Sequence, residues 1–329
     1  MELNTKKEHR NAILAYFAVC IFWGSTYLAI RIGVGELPPT IFAGIRFIIA
    51  GGLMFGYAAF KGLPMPKNLS EILKISIVGI FLLVGGNGGV VWAETRVSSG
   101  IASLMVATVP LFMALIESLL PSKTKINVKG WIGLLIGFAG VAFLVLSDWH
   151  KAPIDIIGIT LLIASALSWA IGSVYSKGFT TSASTISNIA IQMLAGGFCL
   201  SLIGTFLGEF SKMHVTTKGL EALLYLVVFG SMVGYSCYIY ILKKWPAAKA
   251  GTYAYVNPPV AVILGAIFLG EVISLKIVIA TIIILAGVIL VQSSKTEAIT
   301  KSIKSSACTA EAAEISAEKV EEIKKKIAN

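Results

Sequence analysis

Charge is scarce along this chain of 329 residues: Asp, Glu, Lys and Arg make up 13% of it, against 56% apolar residues. A water-soluble domain of that length has no use for so much apolar surface, so the composition indicates a polytopic membrane protein. The net charge of +10 does not point to nucleic acid, because the basic residues sit between apolar runs and form no single stripe. Histidine is nearly missing. His9, His150 and His214 all fall in terminal or connecting segments, which argues against a histidine-based metal or catalytic cluster. The four cysteines (Cys20, Cys199, Cys237 and Cys308) are scattered and form no C-x-x-C, so neither a disulfide framework nor a zinc site is implied. No Walker A sequence occurs, so this chain hydrolyses no ATP. Ser25, Ser103 and Ser173 lack any G-x-S-x-G context. The sequence therefore offers no catalytic residue, no metal site and no cofactor, and no enzyme is expected.

What is present is a series of apolar runs. A membrane span needs about 20 mainly apolar residues, and ten stretches qualify: 11–31, 39–60, 72–93, 98–120, 127–147, 156–176, 186–208, 219–241, 248–270 and 274–293. Strands crossing a bilayer would alternate polar and apolar side chains; these runs do not, so helices are predicted. The connections are short and carry breakers such as Pro38-Pro39, Pro64-Met65-Pro66, Pro121 and Pro153. The basic N-terminus followed by an apolar run imitates a signal peptide, but the run is too long and takes part in a repeat.

That repeat centres on Phe22 to Arg31. Trp23 maps onto Trp169 and Arg31 onto Lys177; Gly85, Thr108 and Pro110 map onto Gly234, Asn257 and Pro259, all at offsets of 146 to 149. One half looks like a copy of the other. The expected organisation is residues 1–148 as one five-helix repeat, 149–295 as the second, and 296–329 as a charged cytoplasmic tail, partly helical. Connections on the side of the N-terminus hold sixteen Lys and Arg and those on the opposite side six. By the positive-inside rule both termini are cytoplasmic. Five spans per copy is an odd number, so the second copy enters inverted, as in many secondary transporters with a site near the midplane. The fold class is thus all-α, with ten transmembrane helices as two inverted five-helix repeats in a plasma (cytoplasmic) membrane.

Trp23-Gly24-Ser25 in span 1, Arg46-Phe47 in span 2, Pro110 in span 4 and Leu269-Gly270-Glu271 closing span 9 resemble the EamA family of the drug/metabolite transporter superfamily. The likeness covers 11 to 293. The resemblance implies a carrier of small metabolites such as amino acids, often outward, without selecting one. The first half departs from the pattern with Leu120-Pro121-Ser122.

Candidate site residues fall in two groups. Trp and Tyr normally sit at membrane interfaces, yet Trp23 and Trp169 fall near mid-span, as do Tyr253 and Asn257. With Tyr27, Asn87, Trp92, Tyr235 and Tyr238 they could line a substrate cavity, aromatic with a few polar groups. Alternatively they pack helices together, with Asn188, Gln192, Tyr240 and Tyr255 bonding across them. The second group is ionisable, and costly inside a bilayer unless paired or wetted. Arg46, about 10 Å below the end of span 2, and Glu94 form a structural ion pair or meet a charged substrate. Glu117 takes a coupling proton or cation, or pairs with Lys123 or Lys244.

The function these features suggest is a secondary-active exporter of a small metabolite such as an amino acid, working by alternating access. The partners would be that solute, the lipid bilayer and protons as coupling ion, with a monomer sufficient and no nucleic acid. Competing readings are an exporter of organic cations or drugs and a facilitative channel.

Overall fold

The computed structural model describes residues 2–97, 99–120, 124–146, 155–269, 275–294 and 296–298. Ten helical rods follow one another: α1 (Glu2–Glu36), α2 (Pro39–Phe60), α3 (Leu69–Ala93), α4 (Ser99–Val106 and Val109–Leu119), α5 (Val128–Leu146), α6 (Ile156–Lys177), α7 (Thr185–Phe206), α8 (Thr217–Lys244), α9 (Ala247–Gly251 and Tyr253–Leu269) and α10 (Leu275–Ser293). Among the described residues, seven of these helices are long and apolar enough to cross a membrane, with shorter apolar stretches at Val128–Phe143 and Val278–Ser293. Large apolar side chains remain exposed on the outside of the bundle. On α1 they are Leu14, Phe17, Ile21, Leu28 and Ile32, the one-sided spacing of a helix with a lipid-facing stripe.

Successive rods run up and down. Glu8 at the start of α1 meets Lys244 at the end of α8 (2.9 Å), and Pro64 after α2 meets Ser184 before α7. These contacts define a terminal face. The opposite, far face joins Glu209, after α7, to Thr40 and Ile41 at the start of α2. That carboxylate accepts two N–H groups at the open beginning of α2, those of Thr40 and Ile41, and the Thr40 hydroxyl; this is the end of a helix dipole that favours an anion.

The packing is duplicated. α2 lies against its counterpart α7, α5 against α10 and α4 against α9, while α1–α8 mirrors α6–α3 and α1–α9 mirrors α6–α4. Local geometry repeats too. α2 and α7 both end in a left-handed glycine, Gly62 (φ 60°) and Gly208 (φ 69°). Each makes the same pair of closing bonds, Gly62 N to Ala59 O with Leu63 N to Ala58 O, and Gly208 N to Thr205 O with Glu209 N to Gly204 O. These turns lie on opposite faces, as inversion requires. α3 and α8 each carry a widened, π-helical stretch, Ile80–Gly88 and Leu226–Tyr235, which the sequence reading did not anticipate.

Pro258 and Pro259 lie inside α9, within Tyr253–Leu269, and the interruption of that rod falls earlier, at Thr252. Only Pro110 sits at a break, in the first turn of the second α4 segment, where its missing N–H costs no helical bond. At the start of the charged tail, Thr296–Ala298 form a short strand, β2, antiparallel to β1 (Thr124–Ile126) between α4 and α5. Residues 299–329, with Cys308, lie outside the described residues, as do Lys123, His150, Pro153 and Glu271.

Candidate functional site

Between the two halves lies a cavity of about 70 Å³, several times the ~10–15 Å³ that one buried water needs. Its wall takes Trp23, Tyr27, Arg46 and Asn87 from the first half and Trp169, Tyr235, Tyr253 and Asn257 from the second. The two repeat-related tryptophans meet edge to face, with ring centres 5.4 Å apart at 82°, a geometry that sets the positive edge of one ring on the negative face of the other. Tyr253 stands 4.8 Å from Trp23. Tyr238 is fully buried one layer behind the wall, 5.2 Å from Trp23 and 5.3 Å from Trp169. Its hydroxyl accepts from Trp169 Nε1 (3.1 Å) and lies 2.5 Å from Ser173 Oγ. Trp23 Nε1 donates to the Gly230 carbonyl at 2.8 Å. Gly230 lies inside the widened stretch of α8, where an α-helical carbonyl would be committed to its own ladder. Gly234 must be glycine, since a Cβ there would run into the Trp23 indole.

Packing explains why these helices come so close. A Cβ at Gly85 would strike Ser168 Oγ and one at Gly89 would strike Ser165 Oγ, so small residues let α3 lie directly on α6. That approach brings Asn87 of α3 and Trp169 of α6 to the same cavity.

The ionisable candidates separate. Arg46 and Glu94 do not pair. Arg46 is 3% exposed, donates Nε to Ser231 Oγ at 2.7 Å and lies 4.8 Å over the Phe47 ring. Its Nη1 has no partner, and neither has Asn87 Oδ1 or Asn257 Oδ1. Glu94 is fully buried and both of its carboxylate oxygens lack a hydrogen-bond partner. Its bonds are made by the backbone alone: the N–H donates to Val90 O (2.9 Å) and the carbonyl accepts from Arg31 Nη1 at 2.5 Å. Ion pairing across α2 and α3 fails because Arg46 turns into the α8 interface. Glu117 does not pair with Lys244, and Lys123, the other expected partner, lies outside the described residues. The Glu117 oxygens accept the N–H groups of Ala247 (2.9 Å) and Ala248 (3.3 Å), so it caps the first turn of α9. Lys244 pairs instead with Glu8. Trp92 was expected in the cavity and is not in its wall. It lies toward the far end of α3 with the Arg96 guanidinium 5.5 Å over its ring, where an amphipathic ring suits the membrane boundary. Just beyond, Asp155 accepts from Gly158 N (2.7 Å) and meets Arg96 at 3.0 Å. That backbone bond, followed by the Arg96 charge, holds the Asp155 carboxyl below its ordinary value of 3.8.

The sequence reading missed Ser231, which anchors Arg46, and Ser165, which lines the cavity one helical turn from Trp169. The available signal was the helical spacing of Ser165, Trp169 and Ser173 on α6. It also missed the cationic clasps at the two faces. Arg31, on α1, donates to the carbonyl of Glu94 at the end of α3. Its counterpart Lys177, on α6, donates to the carbonyls of Leu242 (3.1 Å) and Trp245 (2.6 Å) at the end of α8. The donors are 146 residues apart and Glu94 and Leu242 are 148 apart. In both places a cation meets the open carbonyls of a helix C-terminus.

On the terminal side of the cavity, α1, α9 and α10 are bonded to one another. Tyr16 Oη lies 2.9 Å from Thr252 Oγ1, to which Gln292 Nε2 donates at 3.0 Å, and the rings of Tyr16 and Trp245 pack 5.5 Å apart. Lys249 Nζ fastens the ends of α9 and α10 through the carbonyls of Gln292 and Ser294.

A ten-helix bundle with duplicated packing and a solute-sized, aromatic and polar chamber between its halves is the architecture of a membrane transporter. The chain belongs to the EamA-like transporter family, whose sequence profile matches it twice, over residues 10–146 and 156–293. It is 38% identical over 282 residues to the inner membrane transporter YedA of Escherichia coli (strain K12), covering 85% of this chain and 90% of that protein. It is 28% identical over 285 residues to the transporter YvbV of Bacillus subtilis (strain 168), covering 86% and 92% respectively. One crystal structure superimposes with a TM-score of 0.70 at 22% identity, covering 85% of this chain and 96% of that one, a likeness that speaks for the fold alone.

Proposed function

We propose that this protein is a secondary-active carrier that moves a small metabolite, such as an amino acid, by alternating access of the central cavity. The observation that carries this reading is the cavity itself: both halves build its wall, and bonds among α1, α9 and α10 fasten the helices on its terminal side. A chamber built between two repeats is what rocking one repeat on the other would expose to each side in turn. The excess of Lys and Arg on the side of the termini supports a cytoplasmic position for both, and the likeness to the inner membrane transporter YedA supports an inner-membrane location. The outward direction of net transport rests on the family resemblance. Protons are the proposed coupling ion, with the partnerless Glu94 carboxylate as the group to carry them. A single chain contains both halves of the cavity, so a monomer suffices.

Export of organic cations is a second reading. The facing rings of Trp23, Trp169 and Tyr253 favour it, since aromatic faces attract cations.

Counterflow in proteoliposomes tests the carrier. Vesicles loaded with unlabelled solute should transiently accumulate the labelled solute above its outside concentration. A channel would give simple equilibration with no overshoot.

A further inference from the structure

We infer that the central cavity is a carboxylate site, with the Arg46 guanidinium holding the anion of a small monocarboxylate that also carries N–H donors. This rests on the carrier reading and names the substrate class of the same cavity. Arg46 is buried, lines the cavity and uses only Nε, on Ser231. Nη1 has no partner, and among the described residues no Asp or Glu lines the cavity. The counter-ion expected for it, Glu94, lies outside the wall, with Arg31 rather than Arg46 on its backbone carbonyl. A buried charge without a partner is costly, and a charge-assisted bond to an oxyanion offsets that cost. The lipid and the protein do not supply the oxyanion, so the solute does.

The two other partnerless atoms on cavity-lining residues bear on the rest of the solute. Asn87 Oδ1 and Asn257 Oδ1 are acceptors with nothing to accept, one from each half. An amine or amide N–H on the solute fits them. Trp23, Trp169 and Tyr253 leave room for a short apolar body. An organic cation has no group for Arg46 and would bring a second positive charge to a wall that already carries one.

Acetate is the smallest probe of such a site. The detergent-purified full-length protein is titrated with sodium acetate to about 0.5 M at constant ionic strength, with acetamide and methylammonium chloride in parallel, and its Tm is recorded. A ligand that binds only the folded state raises Tm in a saturable way. The expected result is a saturable acetate shift, no shift with acetamide or methylammonium, and loss of the acetate shift in Arg46→Gln. Arg46→Lys should keep it with a several-fold higher half-saturating concentration. Ser231→Ala, which only frees Nε, should weaken it several-fold, and serves if Arg46→Gln does not fold. The inference is overturned if acetate gives no shift, if the shift survives unchanged in Arg46→Gln and Ser231→Ala, or if methylammonium stabilises instead. An acetate shift in a protein that shows no counterflow for any solute would keep this site and sink the carrier. Counterflow of a cation without an acetate shift would do the reverse.

Discussion

The two faces of the bundle carry the same clasp with different reinforcement. At the far face Arg31 donates to one carbonyl, that of Glu94, and the carboxylate of the same residue is left without a bond. At the terminal face Lys177 donates to two carbonyls, and Glu117 from α4 caps α9 beside them. Tyr16, Thr252 and Gln292 then add a second layer. A duplicated fold can therefore fasten one of its two clasps more heavily than the other, without changing the helices themselves. Additional polar side chains on one side suffice.

Breaking the heavier end should have the largest effect. Glu117→Leu leaves two buried N–H groups without their acceptor and removes the negative charge near Lys177, and is expected to lower stability by about 3 kcal/mol, read as denaturant unfolding in detergent. Lys177→Met should cost about 2 kcal/mol, since two carbonyls lose a charged donor, and Arg31→Met about 1 kcal/mol, since one does. Equal losses at the two clasps would show that the reinforcement is not energetic. The two carboxylates then give opposite signs. Glu117→Gln should destabilise, because a neutral amide accepts the Ala247 and Ala248 N–H groups less strongly. Glu94→Gln should leave Tm unchanged or raise it, because it removes a buried charge that nothing satisfies. If protons travel on Glu94, that variant should also flatten the pH dependence of counterflow.

The smallest effect concerns the surface pair near the far face. The native Asp155 carboxyl lies below its ordinary value of 3.8, so its contribution is complete above that value and fades as pH falls through the lower native one. Tm of the parent should exceed that of Asp155→Asn at pH 6, and the gap should close as pH drops below 3.8. A gap that widened on acidification would reverse the sign assigned to this bond.

Ten helices, their repeat and the meeting of Trp23 with Trp169 were legible because apolar runs, spacing and aromatic residues are written in side chains. The clasps were not. Arg31 and Lys177 bond to backbone carbonyls, which every residue owns, so no partner could be read from the sequence. Glu117 escaped for the same reason, its acceptors being matched to the backbone of Ala247 and Ala248. Arg46 was picked out as costly, but its turn toward Ser231 depends on how α2 meets α8. Trp92 carried the same residue type as Trp23 without its depth, and composition cannot tell a mid-membrane ring from one at the boundary.

The widened stretches Ile80–Gly88 and Leu226–Tyr235 have a mechanical consequence. A π turn holds one residue more than an α turn, and one residue in a helix amounts to about 100° of rotation and ~1.5 Å of length. Each stretch thus stores slack that can migrate along its rod. If it tightens at one end and opens at the other, the side chains between swing around the axis while the rod stays in place. Asn87 and Gly230, the cavity contacts of these rods, sit within the stretches. The bundle therefore contains two matched ratchets, one in each half, that could turn cavity groups toward either face without tilting a helix.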